Sequence, residues 1–244
     1  GLVLGGGVGI SAPASHRVVT DSTRFGMPEV GIGFSPDVGG AYYLANAPAG
    51  IGNYLGLTGA HISGADAVYA GLADVRVPDD RIEALIQRFE TIEDRHQIDE
   101  ILTEFDTPVP SELAREAAWI EDVFCADTVE AILTGVQDVA NRGNDLAQKA
   151  LKAMQRHSPV GMKVTLEAIK RARNLTLAET LTQDLRTTMN AVAGTELAEG
   201  IRAQLIDKDR NPQWTPARLE DVTQEDVEAF FAPVDGVDDL VIQT

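Results

Sequence analysis

The chain has 244 residues, 44% hydrophobic and 24% charged, with 38 acidic against 20 basic side chains and a formal net charge of −18. That length holds one large domain or a core with an appendage, and the acidic balance argues against nucleic acid and anionic membrane surfaces, both of which need a basic face. A single cysteine, Cys125, excludes a disulfide framework and a thiolate metal cluster, while the lack of a long apolar run or a leader pattern makes the cytosol the expected compartment.

Residues 1–45 read as short strands separated by turns. Leu2, Val3 and Leu4 make an apolar strand, expected to be buried; opening a chain inside a core strand points to truncation at the N-terminus. The β-branched stretch 17–20 is a second strand, and 25–27 a third, because Pro28 biases Met27 to an extended conformation. From Gly39 the pattern turns helical. Ser63 is placed to cap a short helix that stops at Gly71, and 74–77 is a brief strand. Asp80 is placed to cap a helix with Ile82, Leu85, Ile86 and Phe89 on one face.

From about Ser111 the pattern is almost all helix. Asp127 with Glu130, and Thr176 with Glu179, both have capping-box spacing. Ser158-Pro159 opens a helix with proline at its tolerated first position. Leu177, Leu181, Leu185 and Met189 recur every four residues as an apolar stripe, and Gly194 ends that helix. Leu197, Ile201 and Leu205 define one more helix, and 211–216 is a loop. The expected organisation is an α/β part at 1–105 and a helical part at 106–244.

Two carboxylates stand out. Glu29 and Asp37 lie eight residues apart in a run otherwise made of Gly, Pro and apolar residues. Acids in such surroundings tend to be held in clefts, where desolvation tunes them for proton transfer or nucleophilic attack. Each also has a plain structural reading, Asp37 as a helix cap and Glu29 as a rim residue. Upstream, Gly5, Gly6 and Gly7 allow a backbone to approach a ligand closely, and a helix starting there would present free amides to an oxyanion. The fragment Gly7-Val8-Gly9-Ile10-Ser11-Ala12 also matches a loose dinucleotide fingerprint, but Asp21 closes the next strand too soon for a crossover helix. His16, His61, His96 and His157 share no metal-ligand spacing, so no metal is expected. Residues 207–211 imitate a calcium loop, but Pro212 and Arg218 stand where Gly and Glu are required.

Three segments together carry a family likeness: Leu4-Gly5-Gly6-Gly7-Val8-Gly9-Ile10-Ser11, Phe25-Gly26-Met27-Pro28-Glu29 and Pro36-Asp37-Val38-Gly39-Gly40. They resemble the enoyl-CoA hydratase/isomerase (crotonase) superfamily. Leu57-Thr58-Gly59, Ala70-Gly71-Leu72-Ala73 and the region 199–216 resemble its branch of 3-hydroxyisobutyryl-CoA hydrolases. The resemblance runs along nearly the whole chain. It implies an α/β crotonase-like ββα superhelix, here without its first strands, followed by a helical C-terminal part. It implies Glu29 as the catalytic acid, Asp37 as the second acid of the hydrolase branch, and Gly6, flanked by Gly5 and Gly7, as the oxyanion amide. It further implies an acyl-CoA substrate whose coenzyme A is part of the substrate rather than a cofactor, no other cofactor, and association of copies through C-terminal helices. Hydratases of the superfamily carry a further Glu at the position of Gly9, so paired-Glu water addition is not expected. The expected reaction is hydrolysis of a short β-hydroxyacyl-CoA such as 3-hydroxyisobutyryl-CoA in valine breakdown. An isomerase working with one Glu, and an inactive remnant of the fold, are the alternatives.

Overall fold

The computed structural model describes residues 1–240. Strand β1 (Leu2–Leu4) leads through Gly5 into helix α1 (Gly6–Ser11). Strands β2 (Val18–Val19) and β3 (Arg24–Gly26) follow, and a one-turn 3-10 helix then spans Glu29–Ile32. Helices α2 (Gly40–Ala45) and α3 (Ile51–Thr58), strand β4 (Ile62–Ser63), helix α4 (Gly64–Tyr69) and strand β5 (Val75–Arg76) complete the mixed part. Strand β1 pairs in parallel with β3, Leu4 opposite Gly26, and β3 pairs antiparallel with β4. Strand β2 pairs in parallel with β5.

Helices α5 (Ile82–Phe89), α6 (Gln97–Phe105), α7 (Glu112–Phe124), α8 (Val129–Asn141), α9 (Asp145–Met154), α10 (Pro159–Ala172), α11 (Leu177–Ala193), α12 (Glu196–Ile201) and α13 (Gln224–Ala229) make up the rest. A π-turn over Arg202–Ile206 continues α12. Local chemistry sets many of these starts. Ser63 and Thr176 form full capping boxes with Asp66 and Glu179, and Ser158 caps α10 ahead of Pro159. One apolar core joins both halves of the chain: Val8, Phe25, Met27 and Leu55 pack in the same cluster as Ile120, Phe124, Ile132 and Ile169.

Several local expectations change. Leu2 is 75% exposed, because β1 is an edge strand with β3 on one side only. Asp80 does not cap α5; it sits in a 3-10 turn over Asp79–Arg81, and Arg81 occupies the cap position. Thr128 rather than Asp127 caps α8, its hydroxyl accepting from the Ala131 amide. Asp37 caps nothing; the N-cap of α2 is Gly39. Leu205 is exposed on the π-turn.

The largest change concerns α11. Its leucine stripe is only half-buried, and the face turned to the core carries Thr180, Gln183, Asp184, Thr187 and Ala191. This helix packs against α2 and α12, so a polar face meets the segment that follows Asp37.

Candidate active site

The geometry begins with two parallel strands in register. Leu4 and Gly26 are the paired last residues of β1 and β3, so the two turns that follow leave the sheet side by side. Ligands of open α/β sheets bind at such carboxyl ends. The first turn is the glycine run. The Gly5 amide donates to the Gly26 carbonyl at 3.0 Å, which ties the run to β3. Gly5 has φ +52°, a left-handed conformation that favours glycine. The amides of Gly6 and Gly7 occupy the first turn of α1, where no carbonyl lies one turn back to accept from them. A Cβ at Gly6 or Gly7 would touch nothing within 4 Å, so this face of the run is open.

The second turn carries Glu29. A Cβ built on Gly5 would lie 2.6 Å from Glu29 Oε1, so the carboxyl is seated directly against the glycine run. Glu29 is 8% exposed, and its Oε2 is buried without a hydrogen-bond partner. Burial pushes the carboxyl up to about 7; its own backbone amide opposes the shift and the Asp37 carboxylate adds to it. A carboxyl poised near neutrality serves either as base or as acid.

The Glu29 turn is clamped from several sides. Gly200 of α12 stands so close to Ile32 that a Cβ there would fall 2.2 Å from the Ile32 carbonyl oxygen. Gly33, at φ +69°, abuts the backbone of Glu196 and the ring of Trp214. Glu196 is itself buried; it accepts from the Ser158 hydroxyl and, at 2.8 Å, from the Thr215 amide. The His157 imidazole lies near Gly31 with Nδ1 on the Leu57 carbonyl at 3.0 Å, and burial pushes it down toward the neutral form. The C-terminal stretch 196–216 thus acts as a backstop for the Glu29 turn.

Asp37 is half-buried on the loop before α2, and burial raises its carboxyl. Its charge adds, after burial, to the upward push on Glu29. The next residue, Val38, has φ +53°, a strained conformation for a β-branched side chain. Its side chain packs on Gly9: a Cβ at position 9 would lie 2.6 Å from Val38 Cβ. Valine therefore fills the volume that a side chain at position 9 would enter.

A third carboxyl, Asp184, was not legible as a site residue. It is 4% exposed, and its Oδ2 accepts from the Gly39 amide at 2.7 Å. Burial, with the Asp37 charge adding to it against the Gly39 amide, pushes it up to about 7. The available signal was the polar set at 180, 183, 184 and 187, which repeats with the helical period.

The model for enoyl-CoA hydratase/isomerase matches residues 1–231. The chain belongs to the enoyl-CoA hydratase/isomerase family. Among similar proteins, human mitochondrial 3-hydroxyisobutyryl-CoA hydrolase is 34% identical over 248 residues, 98% of this chain and 63% of its own. The small ribosomal subunit protein mS47 of Arabidopsis thaliana is 36% identical over 98% of this chain and 61% of its own. Among solved structures, a carnitinyl-CoA dehydratase from Mycobacterium thermoresistibile superposes with a TM-score of 0.87 at 43% identity, covering 96% of this chain and 66% of that one. An enoyl-CoA hydratase from Rhodobacter sphaeroides gives 0.85 at 37% identity, with the same coverage. The family fold expected from the three motifs is thus present, and the chain spans about three-fifths of the length of the curated relatives it matches. Among the described residues no helix is long and apolar enough to cross a membrane.

Proposed function

We propose that this family member hydrolyses the thioester of a short β-hydroxyacyl-CoA, with 3-hydroxyisobutyryl-CoA as the substrate. The observation that carries the reading is the Glu29 carboxyl against Gly5, with Val38 occupying the space beside Gly9. One acid stands at the glycine run, and a second acid at position 9 has no room. That favours attack at a thioester carbonyl over paired-acid addition of water to a double bond. The hydrolase-named relatives support the same choice.

In this reading the thioester carbonyl sits over Gly6, whose amide donates to the oxygen as negative charge develops. Such a donor is worth about 3 kcal/mol. Ionised Glu29 then attacks the carbonyl carbon, or removes a proton from the water that attacks it. The carbon–sulfur bond breaks, and the coenzyme A thiolate takes its proton from protonated Glu29 on the water route or from solvent on the nucleophilic route, where water then hydrolyses the mixed anhydride and restores Glu29. Asp37 binds the substrate 3-hydroxyl or orients the water. Coenzyme A enters as part of the substrate, with no separate cofactor and no metal. Cytosolic placement and association of copies belong to the same proposal; fractionation and light scattering test them.

The test is a substrate panel on the native-length protein. Thiol release from 3-hydroxyisobutyryl-CoA, without hydration or isomerisation of an enoyl-CoA, supports the reading. Double-bond migration without thiol release replaces it with a single-acid isomerase. The ribosomal relative favours a second reading, a member of the family that no longer catalyses. Absence of turnover and of any thermal shift with acyl-CoA would select it.

A further inference from the structure

Away from Glu29, four helix ends meet around another cavity. The C-terminal ends of α2, α7 and α10 and the N-terminal end of α3 enclose about 160 Å³, lined among others by Leu44, Pro48, Gly52, Asn53, Cys125 and Arg173. That is far more than the ~15 Å³ one water needs and well short of the ~300 Å³ of a drug-sized pocket, so the space suits a small head group.

Several polar groups there lack a partner. Asn53 is 4% exposed; its Nδ2 donates to the Phe124 carbonyl at 2.7 Å, and its Oδ1 is buried with no hydrogen-bond partner. A carbonyl only accepts, so the amide cannot be turned the other way round, and the orphan oxygen calls for an incoming donor. Arg173 has no ion-pair partner among the described residues, whereas Arg171 holds both Glu167 and Glu228. At the start of α3 the Ile51 and Tyr54 amides reach the Pro48 and Gly50 carbonyls, both at 2.9 Å. Among the described residues, the Gly52 and Asn53 amides between them have no such acceptor. The cavity thus offers donors to a carboxylate and an acceptor to an N–H, and an α-amino-acid head group carries both. The exposed Cys125 thiol lines the same space, one peptide bond beyond the carbonyl that Asn53 holds.

We propose that Cys125 is a modification site for a small disulfide of an α-amino-acid thiol: Arg173 and the α3 amides receive the carboxylate, Asn53 Oδ1 receives the ammonium, and the thiol exchanges with the disulfide. The Cys125 thiolate attacks one sulfur, the incoming S–S bond breaks, and a new S–S bond joins Cys125 to that half. The other half leaves as a thiolate and takes up the proton that Cys125 released. Cys125 is oxidised, and the incoming disulfide is reduced. The site stands apart from the thioester chemistry and does not rest on it.

Charge gives the proposal a sharp test. The net charge is −18, and Glu121, Asp122 and Asp127 lie within four residues of Cys125. A thiol that met only this field would react faster with a dication than with a zwitterion. The cavity predicts the reverse. Native-length protein is incubated with cystine, with cystamine, which lacks the carboxylate, and with dithiodipropionate, which lacks the ammonium. Intact mass gives the rate, peptide mapping places the adduct, and each rate is divided by that disulfide's rate with a free model thiol. The expected result is a Cys125 adduct forming at least threefold faster with cystine than with either analogue, and an advantage over cystamine that vanishes in Arg173→Gln. No adduct at Cys125, a rate with either analogue equal to or above that with cystine, or a cystine advantage that survives Arg173→Gln overturns the proposal. If Arg173→Gln does not fold, the three disulfides on native protein decide alone.

Discussion

Val38 packs on Gly9 so closely that a Cβ on residue 9 would sit 2.6 Å from Val38 Cβ and 2.8 Å from its Cγ2. The contact joins the glycine run to the loop that carries Asp37. It also costs something, because Val38 takes a left-handed conformation to make it. Such strain persists only where the surrounding packing holds it, and here it shapes the space beside the glycine run.

This contact has a measurable consequence. Gly9→Ala forces Val38 or its backbone to move, and overpacking of this kind costs about 1–3 kcal/mol. In a Val38→Gly background the same substitution meets only the residue-38 carbonyl oxygen, 3.0 Å away. Urea unfolding of the two single variants and the double variant is expected to show a coupling of at least ~1 kcal/mol. Additive effects would mean that the two residues do not touch in solution.

The buried Glu29 carboxyl links stability to pH. Its folded-state value of about 7 exceeds its ordinary value of 4.5, so folding favours the protonated form. The stability it contributes is complete below pH 4.5 and disappears as pH rises through 7. Above that, the fold carries a buried carboxylate. Glu29→Gln has no such charge to bury. The variant is therefore expected to match the native protein near pH 4.5 and exceed its stability near pH 8, by on the order of 3 kcal/mol. Denaturant midpoints at the two pH values check this; a difference that is the same at both would show that Glu29 is not held in its neutral form.

The Glu29 turn depends on a glycine far away in sequence. A Cβ at position 200 would fall 2.2 Å from the Ile32 carbonyl oxygen and 2.3 Å from its carbon, and neither is a side chain that can swing aside. Gly200→Ala is expected to lower stability by about 2 kcal/mol or more and thiol release by more than tenfold, since small displacements of a catalytic group are costly. Near-native values for both would show that α12 does not support the turn.

An exposed and a buried partner give opposite outcomes elsewhere. Ser158 is fully buried and donates to Glu196, so Ser158→Ala leaves a buried carboxylate short of a donor and is expected to cost about 1–3 kcal/mol. Cys125 is exposed beyond the end of α7, and Cys125→Ser is expected to stay within about 0.5 kcal/mol of native. Thermal unfolding of the pair tests the contrast.

Much of this arrangement was legible in the sequence, for identifiable reasons. The capping boxes at Ser63 and Thr176 were readable because they need residues only three apart. Glu29, Asp37 and the glycine run stood out because their composition departs from that of solvated turns. Other features depend on contacts between distant segments. Nothing near Asp80 shows that Asp79–Arg81 makes its own turn and displaces the cap. The leucines of α11 promise an apolar inner face, yet packing against the Gly39 segment turns Thr180, Gln183, Asp184 and Thr187 inward. The support that Gly200, Glu196 and Trp214 give to the Glu29 turn spans more than 150 residues, beyond the reach of any local pattern.

The central claim is that Glu29 performs the chemistry at a thioester carbonyl beside the glycine run. Its most direct test is the kcat for thiol release from 3-hydroxyisobutyryl-CoA by native-length protein and by its Glu29→Gln variant, which keeps the shape of the side chain. The account expects a loss of at least ~100-fold, the scale of a removed base or nucleophile. A variant that releases thiol at the native rate would contradict it.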